Sequence, residues 1–192
     1  MASGEKVANV VWITGLSAAG KTTLATAVAR RLREQGEAVV LLDGDDLREA
    51  LGATTEYARE ARLMLAFKYA RLARMIARQG VTVVVGTIAL FKEIQAWNRA
   101  NQPGYFEVYL KVPLEELRRR DPKGIYRRFD AGELKSVAGL DLPIDEPVAP
   151  HVLLSYVPGL GPDTMLSIIL ERFTQHRHTP HSNATDLTGQ TS

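Results

Sequence analysis

The chain has no cysteine. That absence removes disulfide frameworks, thiolate nucleophiles and Cys-ligated zinc together. No apolar run approaches the roughly 20 residues that a membrane-spanning helix requires. The opening residues, Met1-Ala2-Ser3-Gly4-Glu5-Lys6, lack the apolar centre of a secretory signal. Aromatic residues make up only 7% of the chain, and the net charge is only +2 over 192 residues. A field that small gives no basis for nucleic-acid or membrane attachment. The expectation is a cytoplasmic protein with neither partner. The chain is 45% hydrophobic and 24% charged, ordinary for a globular protein, and it is long enough for one α/β domain with a substantial core.

Short β-branched runs alternate with amphipathic segments, the pattern of a parallel sheet covered by helices on both faces. Strands are predicted at 10–14, 38–42, 82–88, 106–112 and 151–157, with helices at 21–35, 56–79, 91–101, 113–120 and 163–175. The second helix carries Leu63, Phe67, Ala70, Leu72 and Ile76 at helical spacing, with Met64 and Met75 among core-type positions, and Gly80 closes it. Trp12, Trp97 and His151 are expected to be structural. Residues 121–150 hold Gly, Pro and many charges with no clear period, and a loop this long in a compact domain suggests a lid. The domain is expected to span 1–173. The stretch 174–192 has too few apolar residues to offset ordering entropy and is expected to be disordered, which makes His176, His178 and His181 mobile surface groups.

Residues Gly15-Leu16-Ser17-Ala18-Ala19-Gly20-Lys21-Thr22 match the phosphate-binding loop pattern G-x-x-x-x-G-K-[ST] in full, and Thr23 follows. The loop sits between an apolar strand and a helical pattern, the setting the motif requires. Its glycines let backbone N–H groups wrap a phosphate chain, and the helix start adds partial positive charge. Lys21 is suited to the terminal phosphates and the Thr22 hydroxyl to Mg²⁺. A triphosphate, read as ATP with Mg²⁺, is therefore the expected cofactor.

Strand two runs into Leu42-Asp43-Gly44-Asp45-Asp46-Leu47-Arg48. Ligands of open α/β sheets bind beyond the C-terminal strand ends, so Asp43 and Asp45 should face the loop. Carboxylates there can orient an attacking hydroxyl, accept its proton or hold Mg²⁺ through water. Arg48 is placed to meet an anionic acceptor. A GTPase switch or a motor ATPase is disfavoured, because no Asn-Lys-x-Asp motif is present and strand three carries no acidic residue at its end. A small-molecule kinase fits better.

On these residues the chain resembles the adenylylsulfate kinase family. The resemblance extends over the stretches Arg120-Asp121-Pro122-Lys123-Gly124-Ile125-Tyr126, Ala131-Gly132-Glu133…Lys135 and Gly139-Leu140-Asp141…Pro143. It implies a P-loop NTPase-type three-layer sandwich, a homodimer, and transfer of the ATP γ-phosphate to the ribose 3′-hydroxyl of adenylyl sulfate. It also implies residue roles. Asp43 stands beside the acceptor hydroxyl, and Asp45 takes part in organising the metal with Thr22. Arg48 and Arg62 contact substrate anions, Lys123 and Lys135 approach from the lid, and Arg120 packs on the ATP adenine.

Several positions depart from the family pattern. Ala18 stands where the family has a third loop glycine, which is tolerable only if no positive φ is needed there. Tyr57 matches one aromatic of the adenine clamp, but the second falls on Val137; losing a stacking face removes about 1–3 kcal/mol. Ala61 and Leu65 replace Asp and Asn, Ala89 replaces a serine after Ile88, and Gln95 replaces an arginine. These changes cluster on the acceptor side. The run Thr87–Ile94 with Trp97-Asn98-Arg99 resembles a family branch that phosphorylates cytidine diphosphoramidate, and a smaller base agrees with Val137. Two acceptors therefore stay open, and a nucleotide-binding regulator without transfer activity stands beside them.

Overall fold

The computed structural model describes residues 8–53 and 58–178. In chain order the elements are β1 (Val10–Gly15), α1 (Lys21–Glu34), β2 (Val39–Asp43), α2 (Gly44–Ala50), α3 (Arg59–Ala77) and β3 (Thr82–Thr87). Then follow α4 (Lys92–Asn101), β4 (Tyr105–Lys111), α5 (Leu114–Arg120), α6 (Ile125–Asp130), β5 (Val152–Ser155) and α7 (Pro162–His178). The five strands form one all-parallel sheet in the order β2-β3-β1-β4-β5.

A parallel sheet buried on both faces has apolar side chains pointing both ways, and the alternation along each strand sorts them into two cores. Val11 and Ile13 of β1, Val84 of β3, and Phe106, Val108 and Leu110 of β4 meet α1, α5, α6 and α7 on one face. Val10 and Trp12, Val83 and Val85, and Tyr105 meet α2, α3 and α4 on the other. The result is the three-layer sandwich, with β1 at its centre and all strand C-termini at one end. Trp12 is fully buried, and Trp97 meets Phe67 edge-on at 6.2 Å between ring centroids. Just before β5, His151 accepts a 2.9 Å hydrogen bond at Nδ1 from the Glu107 N–H. All three are structural, as expected.

Three local expectations are corrected. The methionines of α3 are exposed, Met64 at 64% and Met75 at 55%. The helix instead packs through Ala66, Ala70, Ala73 and Ala77 with Tyr69, and a small-residue face lets it lie close to the sheet. Its described start is Arg59, with 54–57, and so Tyr57, outside the described residues. The stretch 121–150 contains α6, six residues long, too short to show a period in sequence. The last helix continues through residues 174–178, where disorder was expected. His176 is held there by ring contacts, 5.3 Å from Phe106 and 4.6 Å from His151. His181 lies beyond the described residues.

Ile169 and Phe173 of α7 are fully buried against α1 and β4. Truncating Ile169 to Ala is expected to lower the unfolding free energy by about 2–5 kcal/mol. Met64→Ala, on an exposed face, should change it by less than about 0.5 kcal/mol. Urea unfolding of the two variants measures both, and equal losses would contradict this assignment of the α3 faces.

Candidate active site

The phosphate loop links the centre of the sheet to α1. Gly20 stands at the α1 N-cap with φ 98°, a conformation that glycine adopts without steric cost. Among the described residues no side chain caps the helix start, which leaves its N–H groups for a ligand. Ala18 has φ 63°. The condition set by sequence is therefore not met, since the position does use the left-handed region and alanine occupies it with strain. The lid steadies this backbone, as the Tyr126 hydroxyl donates to the Ser17 carbonyl at 3.1 Å.

Asp43 ends β2 and caps α2, its Oδ1 accepting from the Asp45 N–H at 2.9 Å. Its Oδ2 accepts from the Thr22 hydroxyl at 2.7 Å. This bond crosses over β3, which lies between β2 and β1. The crossing passes Gly86, where an added Cβ would sit 3.2 Å from the Ala25 Cβ and 3.8 Å from the carboxylate itself. Asp43 is only 8% exposed, so one buried carboxylate joins the phosphate loop to the start of α2.

Cations surround this pair. Lys21 donates to the Leu16 carbonyl at 2.8 Å. Burial first, and then the charge of Lys123, lower its pKa to about 8, against the opposing pull of Asp43 and Asp45. Lys123 comes down from the lid to pair with Asp45. Burial raises the Asp45 pKa, but the Lys123 hydrogen bond and charge, with Arg48 and Lys21, outweigh it and leave the carboxyl below its ordinary value. The Nε of Arg48 is buried and has no hydrogen-bond partner among the described residues. Arg120 is fixed by Glu116 at 2.7 Å and lies over the Tyr156 ring at 5.3 Å.

A single cavity of about 1090 Å³ collects most of the predicted residues. Ser17, Ala18, Gly20, Lys21, Thr22, Thr23, Arg120 and Lys123 line it, with Asp43, Asp45, Arg48, Arg62, Ile88, Ala89 and Val137. Gly15, Leu16 and Ala19 stand behind the loop and do not line the cavity. Lys135 is exposed and is not brought to the cavity either. The Asp141 carboxylate accepts from the Ser136 and Val137 N–H groups at 2.7 and 2.6 Å, and Ser136 takes φ 58°. That turn directs Val137 into the wall in place of Lys135. Tyr69 and Arg128 also line the cavity and were missed in sequence. Tyr69 sits in the small-residue stripe of α3, and its hydroxyl there was the available signal.

The Thr22 hydroxyl and the Asp43 and Asp45 carboxylates are hard oxygen donors, a set that suits Mg²⁺. Among the described residues no group of three or more His, Cys, Asp or Glu side chains could enclose a metal alone. The fit is thus to an ion that shares its shell with phosphate oxygens and water, as Mg²⁺ commonly does.

Replacing Ala18 with glycine removes a left-handed strain of about 1–2 kcal/mol and adds unfolded-state entropy of about 0.4–1 kcal/mol. The expected net gain, about 0.5–1 kcal/mol, should appear as a higher melting temperature. A lower one would mean that the backbone there is unstrained.

The comparisons with known proteins agree with this geometry. The chain matches the family model described as adenylylsulphate kinase over residues 7–155. It is 38% identical over 144 residues to a cytidine diphosphoramidate kinase of Campylobacter jejuni, covering 75% of this chain and 84% of that protein. It is 35% identical over 170 residues to a probable adenylyl-sulfate kinase of Pyrococcus abyssi, covering 88% and 97%. Among solved structures, the Mycobacterium tuberculosis APS kinase CysC in complex with AMPPNP and APS aligns with a TM-score of 0.80 at 32% identity, covering 87% of this chain and 98% of that one. With the family model spanning most of the chain, the phosphate loop, the Asp43 element and the lid fall into one account: the chain belongs to the adenylylsulphate kinase family, phosphotransferases that act on a hydroxyl acceptor.

Proposed function

We propose that this chain transfers the γ-phosphate of ATP to the ribose 3′-hydroxyl of a nucleotide, with adenylyl sulfate as the acceptor. The observation that carries the reading is the 2.7 Å hydrogen bond between Thr22 and Asp43, which joins the phosphate-loop hydroxyl to a buried carboxylate inside one cavity. The Mycobacterium tuberculosis relative, solved with AMPPNP and APS, supports both the donor and the acceptor.

In this reading the triphosphate lies along Ser17–Thr23, with Arg120 beside its base. Mg²⁺, held by Thr22 and approached by Asp45 through water, would supply charge neutralisation at the phosphates. Asp43 orients the acceptor hydroxyl and takes its proton as the phosphoryl group moves in line. Phosphoryl transfer has a loose transition state, so positioning and charge neutralisation carry most of the catalysis. Lys21 and Lys123 provide cations for it. Lys123 would exchange its partner Asp45 for phosphate oxygens, and Arg48 and Arg62 would hold the acceptor's anion.

A second acceptor, cytidine diphosphoramidate, is favoured by one feature. Val137 lies flush in the wall at 5% exposure, with Ala89 and Leu65 also lining the cavity, and such a wall offers a purine less stacking surface. Incubation with ATP, Mg²⁺ and each acceptor separately, with products resolved by mass, decides between them. Absence of acceptor-dependent ADP formation with either nucleotide would reject the kinase reading in favour of a nucleotide-binding regulator.

With the productive acceptor, Asp43→Ala is expected to lower kcat by about 100-fold or more. The pH dependence follows from Lys21. In the empty site its ammonium is lost as pH rises through about 8, and a bound triphosphate raises that pKa by its opposite charge. The ratio kcat/KM for ATP should therefore fall above about pH 8, while kcat falls only at higher pH. Coincident midpoints in the two profiles would show that Lys21 does not titrate in the free protein.

A further inference from the structure

Three elements meet at one side chain beside the part of the cavity lined by Leu90, Phe91 and Ile144. Asp145, on the arm of residues 143–147, is fixed through its backbone and its carboxylate alike. Its N–H donates to the Leu90 carbonyl at 2.9 Å, and its own carbonyl accepts from Gln95 Nε2 at 2.6 Å. Its Oδ2 accepts from the Lys92 N–H at 3.1 Å. Lys92 opens α4, and the preceding residue, Phe91, supplies no side-chain cap. Asp145 therefore caps that helix from a distant part of the chain, satisfying an N–H that would otherwise lack a partner.

Arg59, the first residue of α3, closes the junction. Its Nη2 lies 3.1 Å from Glu93 Oε1 and 3.5 Å from Asp145 Oδ2, and its guanidinium covers the Phe91 ring at 5.2 Å. These ion pairs are about one-third exposed, and exposed pairs contribute little on their own. The cap and the buried Gln95 amide set the geometry. Leu90, Phe91 and Ile144, next to the bonded atoms, line the cavity. The spacing between the arm and the β3–α4 turn is the spacing between two cavity walls.

We propose that Asp145 is a positioning residue for the acceptor, fixing the width of the acceptor end by capping α4 and tying the 143–147 arm to it. This rests on the reading of that end as the acceptor subsite. Gln95, at a position where the family has an arginine, is engaged here in holding the arm.

The test compares Asp145→Ala with Asp145→Asn. An asparagine oxygen still accepts from the Lys92 N–H and is as good a cap as aspartate, whereas alanine is not. Misplacing a wall by a fraction of an ångström to an ångström weakens productive binding steeply. D145A is therefore expected to raise the acceptor KM by about tenfold or more. The ATP KM should stay within about twofold, and D145N should remain within about threefold of the unsubstituted protein for both substrates. Amide hydrogen exchange across residues 88–95 should speed up in D145A and not in D145N, with or without substrate. Equal KM changes for both substrates, no change in D145A, or D145N behaving like D145A would overturn the proposal. If the unsubstituted protein shows no acceptor-dependent turnover, the kinase reading fails by itself, and the exchange comparison alone decides whether Asp145 clamps the walls. Unchanged exchange in D145A would overturn the clamp.

Discussion

The hydrogen bond from Thr22 to Asp43 is the constraint on which the site depends. Thr22 belongs to the first turn of α1, which follows the central strand, and Asp43 ends the edge strand β2. Strand β3 lies between them, and a side chain at the crossing point would crowd both the carboxylate and α1. Gly86, paired with Ile13 on one side and Asp43 on the other, leaves that passage open. Parallel register, strand order and one missing Cβ together bring a carboxylate from the sheet edge onto the phosphate loop at the sheet centre. Crevices at such points, outside the carboxyl ends of the strands, are where open α/β sheets take ligands.

The charges around this bond are balanced for a site that receives an anion. Lys21 is desolvated and lies near the charge of Lys123, a cost that phosphate oxygens would relieve on the proposed reading. Lys123 meanwhile finds a partial partner in Asp45, and this pairing draws the lid onto α2. The lid also rests on the loop through Tyr126 and Ser17, while the Arg62 Nη2 donates to the Ser136 carbonyl at 2.8 Å. Lid, loop, α2 and α3 are thus joined by polar contacts. On the proposed reading, binding exchanges the Lys123–Asp45 ion pair for contacts to phosphate. The electrostatic gain from charge-assisted bonds to phosphate is offset in part by breaking what is already made.

Much of this was legible in the sequence because it rests on local patterns. Val10–Thr14 before Gly15 and a helical period after Thr22 establish strand, loop and helix, and Asp43 at a strand end follows from the alternation of elements. What was not legible depends on distant partners. Met64 and Met75 have the hydrophobicity of a core face, yet α3 turns its alanines inward, since only small side chains permit that close approach to the sheet. His176 sits in a polar stretch and is ordered by Phe106 and His151, far away in sequence. The six residues of α6 are fewer than two turns, too few to carry a period. The glycine in the run Val83-Val84-Val85-Gly86 was a signal present and unread: glycine inside a strand often marks a close backbone or side-chain approach.

The polar and the apolar parts of the cavity lining differ in the kind of discrimination they can exert. Backbone N–H groups, Lys21 and the Thr22 hydroxyl form directional contacts, and a ligand lacking the matching oxygens leaves buried polar groups unpaired, a large penalty. The lining also presents Leu65, Ala89, Val137 and Ile144, and an apolar wall separates ligands differing by a few atoms by only about 1–3 kcal/mol. Selection of the base on the proposed reading therefore comes from size and wall spacing, while the anion is selected by Arg48 and Arg62. The Arg48 Nε is buried and has no hydrogen-bond partner among the described residues, so an anion that reached it would pair a buried donor. A wall that selects by spacing is only as selective as its spacing is fixed. An apolar acceptor end consequently demands rigid attachment of its two sides, and the bonds converging on Asp145 supply that attachment.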